Sequence, residues 1–598
     1  MINNQLHMSY FKFTQSAAVL VCAFVLVACN HFNPNNGPIR LNQVGYAPDQ
    51  EKTATIDISH IPSPISKCYI LDIAGDTVWR GEASETMLNP VSGKPCQIVD
   101  FSDLIECGEY TFCVENLQSQ ISRLQFQISN TPYKELTRAA LRAYYHQRAS
   151  MATEEPYAEG YARPAGHPDD QVIVHTSAAT EERPAGTIIA SPGGWYDAGD
   201  YNKYIVNSGF TMGVWLMAYE FNKAYFDTLK LNIPESGNPL PDMLSEALYN
   251  IRWMMTMQDF DGGVYHKLTE PAFEGFIRPD QCKKPRYVVM KTTAASLDFA
   301  ATMALAARVY APYDASFAEQ AREAAKKAYA WALSHPEVYY DQPKMNEEMK
   351  QCGEVEIITG AYDDFEVSDE FYWAATELYL LTGDENYRET AMAQQPKNYT
   401  PASWGNVAEL ATLEWLMHPQ TQNDQAKHVL TNRLTAYLQP YIEEADSISV
   451  FRSPYGNRES DFFWGCNSEG CCWRGVECLY AYRLTGEDQY RINAERCLNY
   501  ILGQNATGFC YVTGFGTHPT KDPHHRLSYS NSKGTLPGFL AGGPNPARQD
   551  AATDGVKYPK DVPADESYLD YQPSYASNEV TINWNVTLFF LTAGLDTL

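Results

Sequence analysis

Two aspartates lie three residues apart in a stretch that is rich in glycine and aromatic residues. The stretch SPGGWYDAGDYNKY, residues 191–204, contains Asp197 and Asp200. Two neighbouring carboxylates raise the pKa of one of them or share a water molecule. One can then act as a general base while the other orients the same water. A simple turn or a helix N-cap is the alternative interpretation of this pair.

A third carboxyl group follows a run of tyrosines near the C-terminus. In YLDYQPSYASNE, residues 568–579, Glu579 ends the run, and we expect it to open the last helix. A carboxyl group among aromatic rings is poorly solvated, which favours its neutral form near neutral pH. A general acid requires that neutral form. The alternative is a glutamate that only complements the helix dipole.

A histidine and an arginine form the third candidate. The sequence PHHR, residues 523–526, contains His524 and Arg526. Such a pair on a loop can hydrogen-bond hydroxyl groups and steady a carboxylate. Each of the three patterns is weak alone, and together they favour a reaction that carboxyl groups carry out.

Other classes of function lack their sequence patterns. The chain has no G-x-x-x-x-G-K-[ST] phosphate loop, no G-x-S-x-G nucleophile elbow and no H-E-x-x-H metal motif. Its 73 acidic residues against 45 lysines and arginines give a net charge of −28, which disfavours nucleic acid as a partner. Aromatic residues make up 13% of the chain. They suit the flat faces of a neutral sugar chain, and core packing is the alternative use for each ring.

Two kinds of periodicity divide the chain. Residues 39–130 contain short segments that alternate apolar and polar residues between turns, which predicts a small β-sandwich. We expect this module to pack against the rest of the chain and not to bind a ligand. Residues 131–598 contain roughly a dozen helical segments with long loops, so the chain is predicted to be mainly α.

A recurrent motif suggests how the helices are arranged. LTGDENY, residues 381–387, and LTGEDQY, residues 484–490, each combine a helix end, a glycine and a new helix. Such repeats predict stacked helical hairpins that close into a toroid. The long loops would then collect on one rim and carry the function.

Three separated motifs together resemble the signatures of glycoside hydrolase family 9, in the branch with an N-terminal immunoglobulin-like module. GGWYDAGDYNKY is similar to the first signature, YVTGFGTHPTKDPHHR, residues 511–526, to the second, and YLDYQPSYASNE to the third, with Thr581 and Asn585 following. Val586 replaces a small residue of the family pattern. IRLNQVGYAPDQEKTA, residues 39–54, resembles the first strand of the immunoglobulin-like module. The resemblance covers nearly all of the chain after residue 38.

The resemblance implies an (α/α)6 barrel that hydrolyses β-1,4-glucosidic bonds with inversion. On that pattern Asp200 is the general base that activates water, and Asp197 holds the same water. Glu579 is the general acid that protonates the leaving oxygen. An inverting pair of carboxyl groups must leave room for that water between them.

The resemblance also implies which residues surround the reacting groups. His524 and Arg526 are expected to contact the sugar, and Asp570 is expected to support the site. We further expect three aromatic residues to stack on sugar or line the site: Trp195, Tyr204 and Tyr575.

Members of this branch often bind zinc through cysteines and histidines shortly before the first signature. Ser150 and Ala165 stand where we look for those cysteines, and His167 alone does not make a site. The sequence therefore predicts no zinc there. CNSEGCC, residues 466–472, fits no common zinc spacing either, and buried thiols are the better interpretation.

The sequence retains part of a calcium site of the resembled family. SDEFYW supplies Ser368, Asp369 and Glu370, whose oxygen atoms suit Ca²⁺. Asn406 stands where a more distant acidic ligand is expected, which would weaken the site. An N-capped helix without a metal is the alternative.

The N-terminus resembles a bacterial lipoprotein signal. Residues 1–28 contain the apolar run AAVLVCAFVLVA and end directly before Cys29, so LVAC looks like a lipobox whose cysteine is acylated. An ordinary signal peptide is the alternative. Residues 29–38 would form a tether, and the protein would be an outer-membrane lipoprotein on the cell surface or the periplasmic face.

These observations predict a lipid-anchored, monomeric, inverting β-glucanase of the endo-acting cellulase or xyloglucanase type, acting on a β-glucan polymer or oligosaccharide. An exo-acting cellodextrinase or glucosaminidase is the alternative within the family. A surface glycan-binding protein with a decayed catalytic centre is the alternative from another class. That last possibility is disfavoured because Asp197, Asp200 and Glu579 are all present.

Overall fold

The computed structural model describes residues 37–61, 64–422 and 425–598. The predicted signal peptide, Cys29 and most of the predicted tether lie outside these residues. Within them a β-sandwich precedes a helix-rich domain, as predicted. No helix in the described ranges is both long and apolar enough to cross a bilayer.

The N-terminal module consists of two four-stranded antiparallel sheets, ordered β1-β2-β6-β5 and β4-β3-β7-β8. The strands are β1 (Ile39–Arg40), β2 (Thr53–Asp57), β3 (Ile65–Asp72), β4 (Thr77–Gly81), β5 (Met87–Leu88), β6 (Pro95–Asp100), β7 (Gly108–Asn116) and β8 (Ile121–Ile128). Alternate side chains point between the sheets, where Tyr46, Phe101 and Phe126 pack ring to ring. This confirms the immunoglobulin-like sandwich.

The sandwich lies directly against the helical domain. The Thr55 hydroxyl donates to the backbone oxygen of Val450 at 2.6 Å. Arg496 forms an ion pair with Glu51 at 2.7 Å. These buried and half-buried polar contacts fix the module on the outside of the helical domain.

The helical domain contains sixteen α-helices in the described residues. They are α1 (Lys134–Gln147), α2 (Ile205–Phe221), α3 (Lys223–Thr228), α4 (Asp242–Thr256), α5 (Thr293–Tyr310), α6 (Ala315–Ser334), α7 (Gln342–Lys350), α8 (Ser368–Thr382), α9 (Glu385–Gln394), α10 (Ala408–Met417), α11 (Gln425–Ser447), α12 (Trp473–Thr485), α13 (Asp488–Ile501), α14 (Arg526–Ser530), α15 (Tyr575–Asn578) and α16 (Ile582–Leu595).

Six of these helices form an inner ring, and each has an outer partner. In one arc of the ring α2 packs against α5, α5 against α8 and α8 against α10. In the other arc α12 packs against α16, and α16 packs against α2. The Trp473 indole of α12 donates to Glu409 of α10 at 2.7 Å and links the two arcs. The outer partners of α2, α5, α8, α10, α12 and α16 are α4, α6, α9, α11, α13 and α1. Inner helices such as α16 are buried on all sides, and most of their residues are apolar.

The two repeated motifs end helices as predicted. Gly383 and Gly486 adopt φ values of 71° and 74°, in the left-handed region that residues with a side chain rarely adopt. Their backbone N–H groups donate to the carbonyls of Tyr379 and Tyr482. Each glycine therefore stops an inner helix and lets the chain turn into its outer partner.

Two local features differ from the expectations. A five-stranded sheet, ordered β10-β9-β13-β12-β11, lies within the helical domain. Its strands are β9 (Val172–Val174), β10 (Ile188–Ile189), β11 (Lys203–Tyr204), β12 (Lys267–Thr269) and β13 (Tyr287–Val288), which are too short to show alternation in the sequence. Glu579 does not open the last helix, because α16 begins at Ile582 and Glu579 lies in an extended segment after α15.

Candidate active site

The three candidate carboxyl groups lie in one cleft. Asp197, Asp200 and Glu579 line a cavity of about 530 Å³. Asp200 and Glu579 precede the inner helices α2 and α16, and other residues of the cleft precede α8, α10 and α12. One end of the helical ring therefore gathers loops that are far apart in the sequence.

Backbone contacts join the first and third motifs. The amide of Ile582 donates to the carbonyl of Asp197 at 2.9 Å. His524 pairs with Glu579 as a short parallel bridge. Gly199 lies so close to this bridge that a Cβ at its position would be 2.2 Å from the carbonyl oxygen of His524. Only glycine fits there, which explains the glycine between the two aspartates.

Hydrogen bonds fix one oxygen of Asp200. The side chain and backbone N–H of Asn202 and the hydroxyl of Tyr204, at 3.1 Å, donate to its Oδ2. Asn202 itself accepts from the Thr269 hydroxyl at 3.1 Å and from the Glu270 amide at 2.8 Å. In the described part of the chain no hydrogen bond reaches Oδ1 of Asp200, so this oxygen is available to a water molecule.

Asp197 is bonded at both oxygens. The Tyr362 hydroxyl donates to Oδ2 at 2.6 Å, and the Asn207 amide donates to Oδ1 at 2.7 Å. Burial, followed by the charge of Asp200, raises the pKa of Asp197 to about 8. Burial also raises the pKa of Asp200, but the Arg526 guanidinium and the donors on Oδ2 oppose this shift. The negative charge of the pair is therefore better stabilised on Asp200.

Glu579 has the electrostatic surroundings of a protonated acid. Burial and then the charge of Asp200 raise its pKa to about 8. Arg526 and a hydrogen bond from the backbone of Gly199 oppose the shift, and Asp197 adds to it. Near neutral pH the carboxyl group is predominantly neutral and can donate a proton.

The second motif packs beside the carboxyl groups of Asp200 and Glu579. His524 Nδ1 hydrogen-bonds the carbonyl of Gln572 at 2.9 Å, and burial lowers its pKa to about 4, so the ring is neutral. Arg526 donates to the carbonyl of Gly199 at 2.7 Å. Asp570 accepts the backbone N–H of Asp522 at 2.9 Å and so supports the loop that carries His524.

The expected stacking role of Trp195 is wrong. Its side chain is fully buried and packs against Tyr144 and Trp215, at ring distances of 4.6 and 5.3 Å. The indole N–H donates to Glu246 at 2.9 Å. The ring of Trp195 therefore lies in the core and not in the cleft.

The other two predicted aromatic residues lie at the site in different ways. Tyr204 lines the cleft, but it is buried and contacts Asp200 through its hydroxyl group. Tyr575 is half-buried beside the cleft, with its ring 5.9 Å from that of His524 and 5.8 Å from that of Trp464.

Several lining residues were missed in the sequence. They are Phe273, Tyr362, Trp404, Trp464, Glu469 and Trp584. Trp404 and Trp464 are each followed by glycine in a loop before an inner helix. A tryptophan before a glycine in such a loop could have indicated a residue that lines the cleft, because a core ring is more usual within a helix or strand.

The zinc ligands of the resembled family are not reproduced. His167 Nδ1 contacts the Tyr196 hydroxyl at 2.9 Å, and Nε2 contacts Glu270 at 3.1 Å. Cys282 brings a thiol near these two residues, with the three possible ligand atoms within 4.8 Å of one another. Ser150 binds the backbone of His167 instead of offering a thiol. This donor set does not fit that zinc site, and no step is assigned to zinc.

The predicted calcium ligands belong to a larger group of buried oxygen atoms. Asp369 and Glu370 of α8 lie beside Asp298 of α5 and Asp364. Both carboxyl oxygens of Asp298 and Glu370 have no hydrogen-bond partner in the described residues, nor do one oxygen each of Asp364, Asp369 and Asn406. Buried carboxylates without donors are strongly unfavourable unless they take up protons or a cation binds them.

Ser368 is not part of this group. Its side chain is exposed, and its backbone N–H donates to Glu366 at 3.0 Å. The expectation that Ser368 is a ligand is therefore wrong, because the first residue of α8 points out of the buried cluster. Asp298 and Asp364 were missed because they are 71 and five residues away from Asp369.

Comparisons with known proteins agree over nearly the whole chain. The model of glycosyl hydrolase family 9 matches residues 133–592, and that of the cellulase N-terminal Ig-like domain matches residues 35–119. A xyloglucan-specific endo-β-1,4-glucanase of Bacteroides ovatus is 47% identical over 572 residues, covering 94% of both chains. A cellulose 1,4-β-cellobiosidase of Acetivibrio thermocellus is 32% identical and matches 93% of this chain and 67% of its own.

Solved structures show the same similarity. A Bacteroides ovatus structure described as GH9 has a TM-score of 0.86 at 46% identity, covering 94% of this chain and 99% of its own. A thermostable endoglucanase from Alicyclobacillus acidocaldarius has a TM-score of 0.81 at 30% identity, with 94% and 99% covered.

Proposed function

The chain belongs to glycosyl hydrolase family 9, and from that premise we propose that it is an inverting endo-β-1,4-glucanase that acts on xyloglucan. The observation that carries this proposal is the convergence of Asp200, Asp197 and Glu579 in one aromatic cleft. Arg526 and the donors on Oδ2 favour the charged form of Asp200, and burial favours the neutral form of Glu579, which supports the base and the acid that glycoside hydrolysis requires.

We assign the proton transfers to these side chains. Oδ1 of Asp200 accepts a proton from water as the water oxygen bonds to the anomeric carbon. Glu579 donates its proton to the glycosidic oxygen as the bond from that oxygen to the anomeric carbon breaks. Asp197, bonded to Tyr362 and Asn207, orients the same water. The new hydroxyl group then lies on the opposite face from the leaving sugar, which is inversion.

The shape of the cleft supports a polymeric substrate. Phe273 and Trp464 line it and are 44% and 43% exposed. Their rings offer apolar faces on which sugars can stack, while Asp200 is buried and Glu579 is half-buried. The identity to a xyloglucan-specific endoglucanase supports xyloglucan as the polymer.

Product analysis tests this function. The wild-type protein is expected to release oligosaccharides from internal bonds of xyloglucan, faster than from cellulose, mixed-linkage glucan or chitosan oligomers, with the α-anomer formed first. The variants Glu579→Gln and Asp200→Asn should each lose at least about a hundredfold in kcat on xyloglucan, since each removes a proton transfer. Release of single sugars or disaccharides from chain ends would favour an exo-acting enzyme, and a β-anomer would refute the role of Asp200.

We also propose that the buried oxygen cluster binds Ca²⁺. Its ligands would come from Asp298, Asp364, Asp369, Glu370 and Asn406, and their unpartnered oxygen atoms support this assignment. A bound Ca²⁺ would supply two positive charges that offset part of the negative charge of the cluster. Because it would join α5 to α8, we expect it to stabilise the inner ring and to take no part in the reaction.

Thermal unfolding tests the calcium proposal. At a hundredfold excess over the dissociation constant, Ca²⁺ should add about 2.7 kcal/mol of stability and raise Tm by several degrees relative to EDTA. Asp298→Asn should abolish this response and should melt no lower than wild type in EDTA, because it removes one repelling charge. The exposed Glu319→Gln is the matched control and should keep the full response. An unchanged wild-type Tm, with no calcium in the purified protein, contradicts the site.

We further propose that Cys29 carries a lipid that anchors the enzyme to the bacterial outer membrane. The support is the LVAC sequence before it, which lies outside the described residues. Metabolic labelling with a radioactive fatty acid should mark the wild type in the membrane fraction. Cys29→Ser should be unlabelled. Equal labelling of the two proteins would refute the anchor at this cysteine.

A further inference from the structure

A fourth acidic residue, Glu469, lines the cleft and takes no part in the proposed proton transfers. It lies in the π-helical turn Asn467–Cys472, which directly precedes α12. Single π-helical turns inside or beside α-helices often occur at functional sites, because they add one residue and redirect a side chain. Glu469 is half-buried, whereas the residues on both sides of it are buried.

The turn is fixed by the protein around it. The amide N–H of Asn467 donates to the carbonyl of Gly542 at 3.0 Å, and its side chain donates to the carbonyl of Ala541 at 2.9 Å. The Ser468 hydroxyl contacts that of Thr587 at 2.8 Å. The position of Glu469 is therefore set by buried contacts and does not depend on solvent.

A continuous chain of hydrogen bonds runs from Glu469 to Asp197. The Asn583 amide donates to Oε1 of Glu469 at 3.3 Å, and the Thr581 hydroxyl donates to Oδ1 of Asn583 at 2.7 Å. The Asn207 amide donates both to the Thr581 hydroxyl at 3.4 Å and to Asp197 at 2.7 Å. Asn207, Thr581 and Asn583 are all buried.

The direction of every bond in this chain follows from Glu469. A carboxyl oxygen that carries no proton only accepts hydrogen bonds, so Asn583 turns its NH₂ group towards Oε1 of Glu469. The Asn583 oxygen then faces Thr581, whose hydroxyl has to donate to it. The Thr581 oxygen is left to accept from Asn207, which must present its NH₂ group and not its carbonyl.

Within the described residues, no other side-chain hydrogen bond sets the orientation of Asn207. Its side-chain oxygen is buried and has no hydrogen-bond partner in the described residues. If the amide were reversed, its carbonyl would face Asp197 and would no longer donate to it. The orientation of Asn207 thus depends on its two acceptors, Asp197 and Thr581.

We propose that Glu469 is a positioning residue for Asp197: as the fixed acceptor at the end of the Asn583–Thr581–Asn207 chain, it keeps the Asn207 NH₂ group on Asp197. Asp197 is thereby held in the orientation in which it steadies the attacking water. This inference rests on the proposed hydrolysis. It assigns Glu469 no contact with the reacting atoms, and it predicts an effect on kcat that passes through Asp197.

Three variants test this role with soluble xyloglucan as substrate. Glu469→Leu removes the acceptor and should lower kcat by roughly tenfold to a hundredfold, with KM changed less than about threefold, because a misplaced catalytic group slows the chemical step. Glu469→Gln keeps an acceptor oxygen and should retain kcat within about threefold of wild type. Thr581→Val breaks the chain in its middle with little change in shape and should reproduce the loss of Glu469→Leu.

A double variant distinguishes a broken hydrogen-bond chain from unrelated structural damage to the protein. Glu469→Leu combined with Thr581→Val should lose little more than either change alone, because both break the same chain. If the fold-losses in kcat of the two single variants multiplied in the double variant, the proposal would be overturned. A rise in KM with unchanged kcat would also overturn it, because that result would indicate a direct contact with the sugar. Equal losses in Glu469→Leu and Glu469→Gln would overturn it too. A wild-type protein that hydrolyses no β-glucan refutes the function itself, whereas an active wild type with an equally active Glu469→Leu refutes only the positioning role.

Discussion

Three carboxyl groups that repel one another when ionised have to lie in one cleft, and the rest of the site is arranged around this constraint. Burial strengthens the repulsion, because the protein interior screens charges less than water does. Arg526 and the donors on Oδ2 favour the charged form of Asp200. Burial and then that same charge raise the pKa of Glu579. The ionised base and the protonated acid are thus two consequences of one electrostatic field.

The groups stay together because backbone contacts hold the loops that carry them. The Ile582 amide on the Asp197 carbonyl and the contact of Gly199 with His524 join loops that precede α2 and α16. These two inner helices are neighbours in the ring. The helical domain therefore brings the loops to one end, and the short contacts align their carboxyl groups. Side chains such as Asn202, Asn207 and Asp570 then set the orientation of each group.

The sequence predicts the fold class and the residues of the three motifs well, because alternation, helical spacing and paired carboxyl groups are local signals. It fails where position depends on a distant partner. Trp195 belongs to a signature but is turned into the core by its contact with Glu246. Asp298 joins the oxygen cluster only because α5 packs against α8. Glu469 lies within a cysteine-rich segment, and its role depends on a π-helical turn that no spacing indicates.

Burial and, after it, the charge of Asp200 keep Glu579 protonated near neutral pH. An NMR titration of ¹³C-labelled glutamate carboxyl groups measures this directly, with Glu579 assigned by comparison to Glu579→Gln. Its pKa should be near 8 in the wild type, so that the acid is protonated below this pH and loses its proton as the pH rises through it. In Asp200→Asn the pKa should be lower, because the neighbouring charge is gone. A wild-type pKa near the ordinary value of 4.5 would show that Glu579 is ionised at neutral pH, and a value unchanged by Asp200→Asn would show that the charge of Asp200 does not control it.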